Sequence, residues 1–266
     1  MFSLNHNQMV PFDKLDKLAE EQAETYKNAK PFAHGYYDDI FPTELLDQVI
    51  DEFEIGEKQW LKFESKYEKK MQMNRDINLQ PITRALIHNL NSEPFLNFLS
   101  KLTGIKGLIP DPYLAGGGLH KIQRGGKLGV HVDFNEHETM NVYRRINVLV
   151  YLNKDWLKEW GGHFELWDGD KQGCITKLLP LFNRMAIFTT TATSFHGHPT
   201  PLNCPEDRCR MSLALYYYTA NDRGDQQKQT HSTQFLTADG KREELGLEPG
   251  FLTKVKRKVK KIIGRL

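Results

Sequence analysis

The stretch that decides the fold is GVHVDF, residues 129–134. Side chains at positions i and i+2 of a β-strand lie on one face, about 6–7 Å apart along the backbone. We therefore expect His131 and Asp133 to project together while Val132 packs on the opposite face. An imidazole and a carboxylate that converge in this way can supply two ligands to a metal ion.

A second segment, SFHGH at residues 194–198, is the candidate source of a third ligand. His196 and His198 are two positions apart, so both can face the same side of a strand. If this segment folds back beside residues 129–134, two histidines and one carboxylate complete a facial set of ligands. Such a set leaves three coordination positions open and is typical of non-haem iron(II) oxygenases.

The downstream sequence RMSLALYYY, residues 210–218, has the alternation of another strand. Arg210, Ser212 and Ala214 share one face, and the apolar residues between them share the other. An arginine fork beside a serine hydroxyl forms a pair of donors suited to a carboxylate. The pattern therefore predicts an anion-binding face on this strand.

With these motifs in place, the chain resembles the prolyl 4-hydroxylase-like branch of the 2-oxoglutarate and iron(II)-dependent dioxygenases. The matching segments follow the family's order: HVD at 131–133, RINVLVYLN at 145–153, GGHFELW at 161–167, FHG at 195–197 and RMSL at 210–213. The resemblance covers residues 109–220 well and residues 31–55 more loosely.

The resemblance implies a dioxygenase that takes up iron(II), 2-oxoglutarate and O2, with ascorbate as a candidate reductant. The implied iron ligands are His131, Asp133 and a histidine of residues 194–198. Arg210, helped by Ser212, would pair with the far carboxylate of the cosubstrate. The reaction would hydroxylate an unactivated C–H group, such as that of a prolyl residue, and release succinate and CO2.

Several positions bear on the details of this implied site. In the family the third histidine is commonly followed by glycine, which favours His196 and leaves His198 as the alternative. Relatives often carry a tyrosine three residues before the first ligand, where this chain has Leu128. Tyr151 and Asn147 are therefore candidates to line the cosubstrate pocket. Family members that halogenate replace the carboxylate ligand, so the aspartate of this chain favours hydroxylation.

The rest of the chain is expected to support one jelly-roll core. The pattern of helices followed by many short, glycine-punctuated strands predicts an α+β fold, a double-stranded β-helix (jelly roll) with supporting N-terminal helices on one face of the sheet. The expected units are a mostly helical support region at 1–108, the dioxygenase core at 109–222, a polar extension at 223–250 and a basic amphipathic tail at 251–266.

Two local expectations accompany this division. Residues 57–78 are strongly charged, which predicts a solvent-facing segment. Gly125 and Gly126 separate two strand-like runs, residues 119–124 and 127–131, which predicts a β-hairpin.

Composition narrows the class of protein. Apolar residues make up 39% and charged residues 26% of the 266 positions, as is usual for soluble globular proteins. Three cysteines do not form a disulfide framework, and the N-terminus lacks the pattern of a secretory signal, so a cytoplasmic location is expected. The net charge of +2 gives no reason to expect specific nucleic-acid binding.

The C-terminal segment is the exception to this balanced charge. From Lys254 to Leu266 it carries seven basic residues and no acidic ones, and its apolar residues recur at helical spacing. Either a helix lying on an anionic membrane surface or a solvated basic face would produce this pattern.

Two other functional classes compete with the dioxygenase. A metal-binding jelly roll of the cupin kind with non-oxidative chemistry would need the metal ligands but not Arg210 and Ser212. A non-catalytic binding module that recruits partners through the basic tail would need neither. The apparent carboxylate-binding pair argues against the cupin alternative, and the intact set of metal ligands argues against the binding module.

Overall fold

The computed structural model describes residues 9–56, 59–169, 173–220, 230–237 and 240–244. Four α-helices lie in these ranges: α1 Phe12–Asn28, α2 Thr43–Phe53, α3 Pro81–Leu90 and α4 Glu93–Thr103. Prolines in the first turns of α3 and α4 cost these helices no hydrogen bond. Gly104, in a left-handed conformation (φ 75°), ends α4. The predicted supporting helices in the N-terminal part of the chain are therefore confirmed.

Fourteen strands are described in the same ranges. They are β1 His34–Tyr37, β2 Leu61–Glu64, β3 Glu68–Met73, β4 Ile109–Pro110, β5 Gly118–Gln123, β6 Lys127–Val132, β7 Tyr143–Tyr151, β8 Phe164–Asp168, β9 Gly173–Leu178, β10 Arg184–Thr189, β11 Ser194–His198, β12 Cys209–Thr219, β13 Gln234–Leu236 and β14 Arg242–Glu244. Short 3-10 turns occupy Asp76–Asn78 and Lys158–Trp160.

The strands form one curled antiparallel sheet, whose two ends act as the two layers of a jelly roll. One layer has the order β1-β10-β7-β12-β5, and the other has the order β6-β11-β8-β9. Strand β3 connects the layers because its second half pairs with β5 and its first half with β6. The predicted jelly roll is confirmed.

The predicted hairpin at Gly125 and Gly126 is wrong. Both β5 and β6 run antiparallel to β3, with Met71 opposite Lys121 and then Lys69 opposite Lys127. The two strands therefore follow one another in the same direction along β3, as one bent strand that crosses from the first layer to the second. At the bend a Cβ on Gly126 would lie 2.7 Å from the Lys69 carbonyl oxygen, so only glycine fits.

The charged segment 57–78 has a larger role than its composition predicts. Residues 61–73 supply β2 and β3, and β3 lies beside the bent strand instead of standing in solvent. The charged composition did not predict this strand. Lys70 pairs with Glu68 at 3.0 Å, and both side chains are only about 15% exposed. A pair of opposite charges lets these side chains occupy a partly buried strand.

The helices cover the outer face of the first layer. The apolar residues of β12, Leu213, Leu215 and Tyr217, lie in the same buried cluster as residues from all four helices. Tyr217 also donates a hydrogen bond to the Leu90 carbonyl oxygen at 2.8 Å, at the end of α3. The opposite face of β12, which carries Arg210 and Ser212, is thereby left to line the interior of the jelly roll.

Parts of the sequence expectations fall outside the described ranges. Residues 245–266, which include the basic segment 251–266, are among them, as are most of 223–250. Cys174, Cys204 and Cys209 are free thiols. None of the helices in the described part of the chain is both long and apolar enough to cross a membrane.

The packing of helices on β12 leads to a stability prediction. Leu213 is fully buried between the sheet and the helices, and Leu213→Ala should lower the free energy of unfolding by about 2–5 kcal/mol, since the cavity is enclosed on all sides. Leu157, which is 46% exposed, is the matched control, and Leu157→Ala should change it by less than about 0.5 kcal/mol. Urea unfolding followed by circular dichroism measures both. Equal effects would contradict the described packing.

Candidate metal centre

Three of the predicted side chains converge between the two layers. His131 on β6 lies directly opposite His196 on β11, and Asp133 follows β6 immediately. The Nε2 atom of His131 lies 3.6 Å from Asp133 Oδ1, and the Nε2 atom of His196 lies 3.5 Å from Asp133 Oδ2. The ligand atoms of the three residues all lie within 4.8 Å of one another, which is close enough to hold one metal ion.

Both histidines are oriented for metal binding by the backbone. The Nδ1 atom of His131 lies 2.8 Å from the Gly129 carbonyl oxygen, and that of His196 lies 2.9 Å from the Ser194 carbonyl oxygen. A carbonyl can only accept, so each Nδ1 carries the proton and each Nε2 directs its lone pair at the centre. Burial lowers the pKa of His196 to about 4, although Asp133 opposes the shift, so this ring is neutral near pH 7.

The carboxylate of Asp133 is held by two side chains from β7. Asn147 donates a hydrogen bond from Nδ2 to Asp133 Oδ2 at 2.8 Å, and Arg144 places Nη2 at 3.2 Å from the same oxygen. Burial alone would raise the pKa of Asp133, but Arg144 and then His196 hold it well below its ordinary value. The group is therefore an ionised ligand at neutral pH.

Arg144 is a functional residue that the sequence interpretation did not identify. It lies near the start of β7, where an arginine could extend toward a substrate or into water, yet its side chain is only 1% exposed. Its guanidinium carbon lies 3.4 Å from the ring centroid of Tyr216 and 4.6 Å from that of Phe134. Its Nε donates to Asn147 Oδ1 at 2.8 Å, which orients the amide that holds the aspartate.

Arg210 is buried at the other end of the same interior. Its Nε donates to the Gly162 carbonyl oxygen at 2.8 Å, and its Nη2 lies 3.3 Å from the Tyr151 hydroxyl. No carboxylate in the described part of the chain pairs with Arg210. Gly162 has φ +71°, and a Cβ there would lie 3.0 Å from Arg210 Cδ, so a glycine lets the arginine approach this carbonyl.

The other predicted pocket residues separate into two groups. Ser212 and Tyr151 are opposite one another in the β12–β7 ladder, and both are buried near Arg210. Asn147 instead hydrogen-bonds Asp133 and Arg144, at the metal end of β7. Because Asn147 and Tyr151 are four residues apart on one face of the strand, the two ends of the interior are about 13 Å apart along it.

The donor set suits iron(II). Two imidazole nitrogens and one carboxylate on one side of a centre leave open positions for other ligands. Aromatic rings enclose the His196 side, with Phe188 and Phe164 ring centroids 4.6 Å and 5.8 Å from the imidazole. His198 is not part of the described group of metal-binding atoms, so the structure brings together His196 and not the alternative histidine.

This geometry predicts which histidine binds metal. Asp133→Ala and His196→Ala should weaken cobalt(II) binding by more than about a hundredfold, because loss of a ligand exceeds the ~10–100-fold cost of losing an outer partner. His198→Ala should leave the affinity unchanged. Visible absorption of cobalt(II) during an anaerobic titration measures all three, and circular dichroism checks folding. Loss of binding in His198→Ala with retention in His196→Ala would reverse the assignment.

Comparison with known proteins finds similarities in both sequence and fold. The sequence profile of the 2OG-Fe(II) oxygenase superfamily matches residues 117–218. The mouse (Mus musculus) protein prolyl 3-hydroxylase OGFOD1 is 26% identical over 216 residues, which are 76% of this chain and 37% of that protein. The chain thus spans little more than a third of the length of this curated relative.

Solved structures of prolyl hydroxylases share the architecture. One from Trichoplax adhaerens, in complex with a hypoxia inducible factor peptide fragment, has a TM-score of 0.55 at 17% identity, covering 78% of this chain and 92% of that one. A prolyl 4-hydroxylase from Phytophthora capsici has a TM-score of 0.56 at 18% identity, covering 97% and 77%. The chain is thus similar to the 2OG-Fe(II) oxygenase superfamily over residues 117–218, carries a two-histidine, one-carboxylate cluster, and shares the jelly-roll fold of the solved prolyl hydroxylases.

Proposed function

We propose that this protein is a 2-oxoglutarate-dependent hydroxylase that inserts oxygen into an unactivated C–H bond and releases succinate and CO2. One observation carries the proposal: a buried two-histidine, one-carboxylate cluster shares its interior with a buried arginine that has no carboxylate partner in the described residues. A dicarboxylate with a 2-oxo group complements both ends of such an interior.

Each side chain has a role in this proposal. His131, Asp133 and His196 would hold iron(II), which when bound would supply the oxidising chemistry. Arg210 would pair with the far carboxylate of 2-oxoglutarate, and Tyr151 and Ser212 stand beside it as hydroxyl donors. The burial of these groups strengthens each charge interaction, because little water competes for the donors.

Arg144 and Asn147 are positioning residues for the metal end. They bind the Oδ2 atom of Asp133 and would keep the carboxylate ionised and in one orientation while ligands at the open positions exchange. The Asn147 N–H that donates to Asp133 is not available to the cosubstrate carboxylate. Of the two pocket candidates on β7, Tyr151 is therefore the one that we assign to the cosubstrate.

Succinate formation tests the proposed activity. Iron(II)-loaded protein given 2-oxoglutarate and oxygen should form succinate slowly without a substrate, and Arg210→Met should reduce the rate at least about tenfold, since a charged hydrogen-bond partner is lost. Arg210→Met should still bind cobalt(II), which separates cosubstrate binding from metal binding. The variant Arg75→Met, at an exposed arginine, is a matched control and should keep the wild-type rate. Arg210→Met with full activity would refute the assignment.

A prolyl residue in a peptide is the substrate class that we propose. The support is the 26% identity to a prolyl 3-hydroxylase, since the solved structures are too distant in sequence to indicate more than the fold. Proline-containing peptides should accelerate succinate formation and gain one oxygen atom by mass spectrometry, whereas the same peptides with alanine for proline should do neither. Stimulation by both sets equally would exclude the prolyl ring as the target.

The basic segment 251–266 supports a separate proposal that rests on sequence alone. Its seven basic residues suit an anionic membrane surface, and a substrate at such a surface would then be brought close to the enzyme.

A further inference from the structure

His198 is a buried side chain whose polar atoms have no described use. It is the last residue of β11 and is 4% exposed. Neither of its ring nitrogens has a hydrogen-bond partner in the described part of the chain. A buried polar group without a hydrogen-bond partner costs free energy. A ligand that forms a hydrogen bond with His198 would remove this cost, which would strengthen binding of the ligand.

The surroundings of His198 carry positive charge. Among the charged groups near the buried ring of His198, Arg210 and then Lys70 act on it most strongly. Lys70 has Glu68 as its partner at 3.0 Å, whereas Arg210 has no described carboxylate. An imidazole carries at least one N–H donor in either protonation state, and the nearby cation Arg210 lacks a counter-ion in the described residues. Both features favour the binding of an anion at this position.

The position of His198 in the sheet results from a break in the strand ladder. His196 is opposite His131, but the register then shifts, so that His198 is opposite Leu128. Such irregularities re-aim side chains next to functional sites. The Leu128 side chain carries no polar atom, so in this cross-strand pair His198 is the residue whose side chain can donate a hydrogen bond.

We propose that His198 donates an N–H hydrogen bond to the far carboxylate of 2-oxoglutarate, beside the ion pair that this carboxylate makes with Arg210. The inference rests on the proposed function and adds a cosubstrate-binding residue to it. His198 would thus be a binding residue of the cationic end of the interior, and not a metal ligand.

Binding measurements test this role without turnover. Full-length protein loaded with iron(II) under anaerobic conditions is titrated by calorimetry with 2-oxoglutarate and with 2-oxopentanoate, which has a methyl group in place of the far carboxylate. His198→Phe should weaken 2-oxoglutarate binding about tenfold through loss of one hydrogen bond and leave 2-oxopentanoate and iron affinity unchanged. His198→Gln, which retains an N–H donor, should recover most of the loss.

The controls separate the competing explanations. His88→Phe, at a histidine whose side chain is 55% exposed, should behave as wild type. Equal weakening of both ligands in His198→Phe would mean a packing role, and loss of iron affinity would mean a metal ligand, so either result overturns the inference. Failure of the wild-type protein to bind 2-oxoglutarate would overturn the proposed function itself.

Discussion

The ionised carboxylate of Asp133 is the constraint on which the interior depends. A buried negative charge is costly unless it is paired and hydrogen-bonded, and here Arg144 and Asn147 supply both interactions. Those two side chains come from β7, whereas the aspartate follows β6 in the other layer. Holding this charge therefore ties the two layers of the jelly roll together at the point where His131 and His196 face each other.

Arg144 must itself be held, because a buried guanidinium is as costly as a buried carboxylate. The rings of Tyr216 and Phe134 cover it on the β12 and β6 sides, and the aspartate supplies the counter-charge. At the other end of the interior Arg210 has hydrogen bonds but no described counter-charge. Arg144 and Asp133 therefore form an ion pair within the protein, whereas Arg210 remains available to a ligand. A dicarboxylate cosubstrate requires such a positive charge for its far carboxylate.

Local alternation was sufficient to predict much of this arrangement. Residues two apart share a face of a strand, so the pairing of His131 with Asp133 and of Arg210 with Ser212 followed from sequence, and the apolar residues of β12 were correctly expected to pack away from them. Local signals also end the helices, as Gly104 does for α4, because such signals act within one turn of chain. The charges of Lys70 and Glu68 predicted a solvent-facing segment. The two side chains instead pair with each other, and this pairing allows them to lie in a partly buried strand.

The sequence by itself determined the fold class, the order of its motifs and the types of side chain available to the site. Tertiary structure alone decided that Gly125 and Gly126 bend one strand across both layers instead of closing a hairpin, because β3 comes from a distant segment to pair with both halves. It also brought His196, and not His198, close to His131 and Asp133, since His196 is the residue of β11 that pairs opposite His131. Contacts between distant strands depend on pairing across the sheet, and spacing along one strand carries no information about them.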